Sequence, residues 1–407
     1  MPRNNWLLII GMAVNITGSS IIWPLNTIFI HDHLGASLTF SGFLLMLYNA
    51  AGILGNLVGG SLYDRLGGYK VVLVGAAISC LATFLLTAFH SLYPYAILLI
   101  IIGFGSSLMF PAMYAMAGAN WPEGGRRAYN SLYVAQNLGV AIGASLGGFL
   151  AAISFTLSFF VNAVLYLLFL ALVFVCYRGM DRHSKEKDVH ISNVFDQKKQ
   201  RIKQKAPFYA LMWVSVAFFL SWIAYVQWQS TIASYTQQLG LSLNRYSLLW
   251  TLNGLIIVIG QPLLKQVTKR IHSLKIQMAI GICLFVSSYL ILLRVQHFQG
   301  FAIAMMVLTL GEMFVWPAVP TIANELAPKS RIGFYQGFVN STATAGRMVG
   351  PLVGGLIVDQ ASIHLLFLAL ILLYIVAGLI AYFYDFPLYL EKKRAKSETK
   401  AFNLRNT

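Results

Sequence analysis

The chain has 407 residues, 58% of them hydrophobic and 10% charged, with a net charge of +16. A water-soluble chain of this length carries roughly a quarter charged residues, so a soluble enzyme or a nucleic-acid-binding domain is a poor fit. The three cysteines, Cys80, Cys176 and Cys283, are scattered and give neither a disulfide framework nor a metal motif.

A membrane-spanning helix needs about 20 mostly apolar residues. Twelve stretches qualify, near 6–30, 41–62, 71–90, 94–117, 129–152, 154–177, 208–235, 246–264, 275–294, 299–322, 334–358 and 363–384. The expected fold is therefore an all-α integral membrane protein with twelve transmembrane helices. The first apolar run is too long for a signal-peptide core and lacks a small-residue cleavage site.

Span 1 carries Asn15, Trp23, Pro24 and Asn26. Trp23 and Asn26 are candidates for lining a binding pocket. The loop after span 2 reads "GGSLYDRLGGYK", with Gly60, Asp64 and Arg65. Asp64 sits at a helix end beside basic residues, where charge pairing can latch two bundles together. Span 5 contains "GVAIGASLGG", including Gly143.

The stretch 178–206 is the only long polar interior segment, and it divides the spans six and six. The expected organisation is a first six-helix bundle at 1–177, a linker at 178–206, a second bundle at 207–390 and a tail at 391–407. With an even number of spans both termini lie on one side. That side carries 26 of the 29 Lys and Arg; Arg245 and Arg294 lie opposite, and Arg347 lies within a span. Positive residues mark the cytoplasmic face, so both termini are expected in the cytoplasm. The basic excess is a topology signal rather than a nucleic-acid footprint.

Span 7 is rich in aromatics and amides. Helical spacing puts Trp222, Tyr225 and Gln229 on one face. Apolar walls with a few polar groups suit a small-molecule pocket, although aromatic residues also gather at membrane interfaces.

The halves repeat one another. Phe110-Pro111-Ala112 recurs as Trp316-Pro317-Ala318 and Pro122 as Pro328, both at offset 206. Gly139, Gly143, Gly147 and Gly148 recur as Gly346, Gly350, Gly354 and Gly355 at offset 207. Parallel six-helix repeats mark transporters that rock two bundles about a midplane site.

Two ionisable residues lie deep in spans: Glu312 in span 10 and Arg347 in span 11. A charge at mid-bilayer costs roughly 2.5–3.5 kcal/mol or more, so both are expected to face a cavity or each other. In low dielectric the neutral and charged forms of a carboxyl draw closer in free energy. Glu312 is thus a candidate proton carrier, with Arg347 as its partner; a static ion pair or a substrate contact are the other readings. Trp316, four residues on, shares its face. Pro317 and Pro320 are expected to interrupt this helix and expose carbonyls. In span 11 the run "GRMVGPLVGG", with Gly350 and Pro351, gives a smooth helix for close packing between the halves.

These motifs resemble the major facilitator superfamily over nearly the whole chain. The family's loop signature between spans 2 and 3 is matched at Gly60, Asp64, Arg65, Gly67 and Lys70, while Gly68 and Tyr69 depart from it. The glycine-proline pattern resembles that of the family's antiporters, displaced from span 5, where Ala144 replaces the proline, to span 11. The arginine that drug exporters carry in span 4 is replaced by Leu99. The resemblance implies two six-helix bundles and multidrug efflux by proton antiport, with hydrophobic cationic substrates, in the plasma membrane of a bacterium. The rival expectation is a carrier for a polar or anionic metabolite, sugar or lipid headgroup, with Arg347 as an anion clamp; a non-transporting sensor is a third. No enzyme activity, cofactor, metal or nucleic-acid partner is expected, and a monomer is. The glycine-rich loop that binds ATP phosphates is missing from the sequence.

Overall fold

The computed structural model describes residues 1–22, 26, 29–180, 205–391, 393 and 397. Most of the expected linker and tail, and Trp23, lie outside the described residues. The first half contains α1 (Arg3–Ile22), α2 (Leu38–Leu66), α3 (Gly68–Leu86), α4 (Leu92–Asn120), α5 (Arg126–Ile153) and α6 (Phe155–Leu172). The second contains α7 (Lys205–Tyr225), α8 (Thr231–Gln238), α9 (Leu243–Ile259), α10 (Gln261–Arg270), α11 (Leu274–Leu292), α12 (Phe298–Leu326), α13 (Ile332–Gln360) and α14 (Ile363–Tyr382).

In a bilayer every backbone polar group must be satisfied within the protein, and the helix starts reflect this. Ser37, Ser242, Ser273 and Ser362 each cap a helix by accepting a hydrogen bond from the backbone N–H three residues on. Among the described residues ten helices are long and apolar enough to cross a membrane, or eleven if the α9–α10 pair, bent by 54°, is one span. α13 spans 29 residues but is not among these. It carries Gln336, Asn340, Thr344 and Arg347, and it packs against α2 and α7. Its polar residues therefore serve protein neighbours more than lipid.

Both halves use the same packing plan. In the first, α1 packs on α5 and α6, α4 on α2 and α3, and α3 on α6. In the second, α7 packs on α13 and α14, α12 on α9 and α11, and α11 on α14. The halves meet through α2–α13, α4–α13, α5–α12 and α5–α9.

Three sequence expectations change. The glycine runs pack within each half rather than between halves. A Cβ on Gly143 would strike the Thr17 carbonyl of α1, and one on Gly350 would strike Val226, just after α7. Gly354 leaves room for the amide of Gln227, whose Nε2 donates to the Gly350 carbonyl at 2.6 Å. Pro351 is exposed, and α13 runs through it unbroken. α12 likewise continues through Pro317 and Pro320. Finally, α7 stops at Tyr225 and is followed by a 3-10 turn at Val226–Trp228. The four-residue spacing from Tyr225 to Gln229 therefore crosses a 3-10 turn of three residues per turn rather than α-helix, which carries Gln229 off the Trp222–Tyr225 face.

The glycines at the closest backbone approach between the halves, among the described residues, are Gly60, Gly333 and Gly337. A Cβ on Gly60 would collide with the Gly333 carbonyl, and one on Gly337 with the Asn56 carbonyl. Beside this seam Asn56 Nδ2 donates to Thr344 Oγ1 at 3.3 Å and Ser341 Oγ to the Ile53 carbonyl at 3.0 Å. All these residues lie from mid-helix toward the basic side. Among the described residues the molecule is closed on that side.

Candidate functional site

The centre of the molecule is an aromatic cluster built by α7 and α12. Trp222 and Trp316 stack with ring centroids 4.8 Å apart and planes 4° from parallel. Tyr225, one turn beyond Trp222, stands edge-on to both at 5.3 Å. Phe218 and Phe285 close on Trp316 at 5.4 Å. Edge-to-face and offset contacts of this kind suit the ring quadrupoles.

Glu312 lies one turn before Trp316 and is 1% exposed. Its Oε1 accepts hydrogen bonds from the Tyr133 hydroxyl at 3.0 Å and Asn253 Nδ2 at 2.8 Å. Tyr225 and Trp316 lie beside it, so the carboxyl sits among neutral groups drawn from α5, α7, α9 and α12. Tyr133 belongs to the first half and Glu312 to the second, so this bond crosses between the halves.

Arg347 is placed differently. Its guanidinium lies 4.8 Å from the centre of the Trp222 ring, and its Nη2 donates to Thr344 Oγ1 at 3.1 Å. It is exposed, and Tyr48 and Tyr114 of the first half lie within electrostatic range of it. Glu312 and Arg347 form no ion pair; the indole stack of Trp316 and Trp222 stands between them. The sequence expectation of a pair fails because the two side chains leave α12 and α13 on opposite sides of that stack.

Asp64 also makes a contact that the sequence did not specify. α13 begins at Ile332 with no side-chain cap of its own. The carboxylate of Asp64 accepts from the N–H groups of Gly333 at 2.7 Å and Phe334 at 2.8 Å. These are two of the orphan donors at a helix start, where the dipole also favours negative charge. Asp64 caps the other half's helix, and the latch uses the backbone rather than a basic side chain. Arg65 is exposed.

Asn26 accepts from the Tyr95 hydroxyl at 2.7 Å and belongs to an apolar cluster of the first half around Phe29 and Phe159, away from the indole stack. The structure thus gathers Trp222, Tyr225, Trp316, Glu312 and Arg347 at one place and leaves out Asn26 and Gln229. Sequence reasoning missed Tyr133, Asn253 and Arg126. Asn253, an amide inside an apolar span, carried the clearest signal.

Comparison with known proteins agrees with this architecture. The family model of the Major Facilitator Superfamily matches residues 8–276 and 230–405. The MFS-type transporter YttB of Bacillus subtilis is 51% identical over 386 residues, covering 95% of this chain and 96% of the relative. Multidrug resistance protein 1 of the same organism is 20% identical over 359 residues, covering 87% and 89%. The crystal structure of the human organic anion transporter MFSD10 superposes with a TM-score of 0.71 at 14% identity, over 94% of this chain and all of that one. Helical architecture, the cross-half contacts around a central site and the family match lead to one conclusion: this chain is a multi-pass membrane transporter of the major facilitator superfamily.

Proposed function

We propose that the protein exports hydrophobic cationic compounds in exchange for protons, as a monomer in a bacterial plasma membrane with its basic side in the cytoplasm. One observation carries this reading. With the basic side closed, the molecule hides its carboxyl, Glu312, and displays its cation, Arg347. A carrier can drive a ligand outward only if its two conformations differ in affinity for it. A cavity that shows an arginine and no carboxylate holds a cation weakly, which is what the releasing state of a cation exporter requires. The hydrogen bond from Tyr133 to Glu312 supports proton coupling, because the protonation state of Glu312 then affects a contact between the halves. The relative Multidrug resistance protein 1 bears a name consistent with this substrate class.

A second reading, an organic anion carrier, is favoured by Arg347, which is exposed and makes no ion pair among the described residues. Reconstituted vesicles with an imposed pH gradient separate the two. Uphill movement of ethidium in the wild type, lost in Glu312→Gln while downhill exchange persists, is the expected result. Transport of fluorescein instead, abolished by Arg347→Ala, would establish the anion reading.

A further inference from the structure

Pro317 has no N–H, so the carbonyl of Met313, four residues earlier, has no partner within its own helix. Met313 is 1% exposed and Phe314 8%, and a buried carbonyl must find a donor somewhere. The donor comes from the other half. Arg126, at the start of α5, places Nη2 at 2.8 Å from the Met313 carbonyl and 3.2 Å from that of Phe314. Arg126 makes no ion pair among the described residues, and its Nε is buried without an acceptor. Its guanidinium is therefore held by main-chain oxygens and by no acidic side chain. The device is one-sided: at the repeat offset of 206, Arg126 corresponds to Ile332.

Arg126 and α12 belong to different halves. Opening the basic side separates the halves there, and it must carry the guanidinium away from Met313 and Phe314. The Met313 carbonyl, next in the chain to Glu312, then loses its donor and faces the opened cavity with the Phe314 carbonyl beside it. Their chemistry calls for a cation that also bears N–H groups, since a guanidinium fills them in the closed state.

We propose that the proline-freed carbonyl of Met313, with that of Phe314 beside it, binds the N–H-bearing cationic group of the transported compound, and that Arg126 is a tethered competitor that displaces it as the basic side closes. This rests on the cation-export reading above. It adds where the cation's head binds, which cations bind best and what ejects them. In the closed state the occupant of the carbonyls is part of the protein, so a bound cation is expelled by substitution rather than by simple loss of affinity.

The test is equilibrium binding of two probe cations to the purified full-length protein. Ethidium bears aromatic amino groups, and tetraphenylphosphonium bears no N–H. Arg126→Ala is expected to tighten ethidium by about tenfold, the scale of one charge-assisted hydrogen bond, and to leave tetraphenylphosphonium within about twofold. Pro317→Ala returns an N–H to Met313. It is expected to weaken ethidium selectively by itself and to erase the gain in the double variant, so the idea remains testable should Arg126→Ala fail to fold. Equal tightening of both probes in Arg126→Ala reflects general electrostatics and overturns the proposal, as does a gain that survives Pro317→Ala. Wild-type protein that binds neither cation overturns the export reading and this proposal with it. Wild-type binding of ethidium that neither variant changes overturns this proposal alone.

Discussion

Trp222 and Trp316 lie face to face, and each borders one of the two charges within spans: Arg347 rests on the outer face of Trp222, and Glu312 lies one turn before Trp316 on α12. The stack keeps a cation and a carboxyl apart at the middle of the molecule. Stacking and cation–π contacts are each worth roughly 0.5–1.5 kcal/mol. Trp222→Ala is therefore expected to weaken ethidium binding by roughly tenfold and to lower thermal stability. Trp222→Phe keeps a ring under Arg347 and should retain most of the affinity. Equal losses in both variants, read by a fluorescence titration, would show that the ring has no such role.

Asp64→Asn keeps an acceptor for one N–H of α13 but removes the charge at the helix start. Such a charge contributes about 0.3–1 kcal/mol when exposed and up to about 2 kcal/mol when partly buried. The balance between closed and open basic sides is expected to shift by roughly 2- to 30-fold toward open. Transport should slow while ethidium affinity stays within a few-fold. Spin-label distances across the basic side report the first effect. Complete loss of binding in a folded variant would contradict the latch.

The two classes of glycine contact separate in their effects. Gly350→Leu places a side chain against Val226 within one half, so it should lower thermal stability through overpacking, by about 1–3 kcal/mol. Gly60→Ala meets the Gly333 carbonyl only when the halves are closed. It should leave each half stable and hold the basic side open, making a cysteine at that seam more reactive to a water-soluble maleimide. A stability loss in Gly60→Ala without a change in labelling would reverse this assignment.

Tyr133→Phe removes the one hydrogen bond that Glu312 receives from the first half and leaves those from the second. A hydrogen bond to a charged group contributes about 1.5–3 kcal/mol. The variant is expected to export ethidium with fewer protons recovered per molecule, because closure no longer responds to the state of Glu312. Parallel measurement of proton and ethidium flux gives the ratio. An unchanged ratio would place coupling elsewhere.

The sequence was most readable where one segment suffices. Apolar length gave most of the spans but overrated α13, which is not among the helices apolar enough to cross, and the recurrence of Pro111 as Pro317 gave the repeat. Helical spacing put Glu312 and Trp316 on one face. Contacts between distant segments were not readable. Nothing local distinguishes Tyr133 from other span tyrosines, and Arg126 resembles any loop arginine until Met313, 187 positions later, is seen beside it. Gly346, Gly350 and Gly354 announced close packing but not their partner, because a glycine stripe is the same surface whichever helix covers it. Gln229 was misplaced because the spacing rule assumes a continuous helix, and the chain changes to a 3-10 turn at Val226.

The contact between Asp64 and α13 also bears on how the protein tolerates change. One side of that lock is a carboxylate, which a single substitution can remove. The other side is main chain, present whatever residues occupy 333 and 334. No ordinary side-chain replacement at Phe334 deletes its donor; only proline does. A proline scan through the first turn of α13 therefore probes the lock from its main-chain side. Phe334→Pro takes away the bond to Asp64 Oδ2 alone, at a position within the first helical turn where the ring is compatible with the helix.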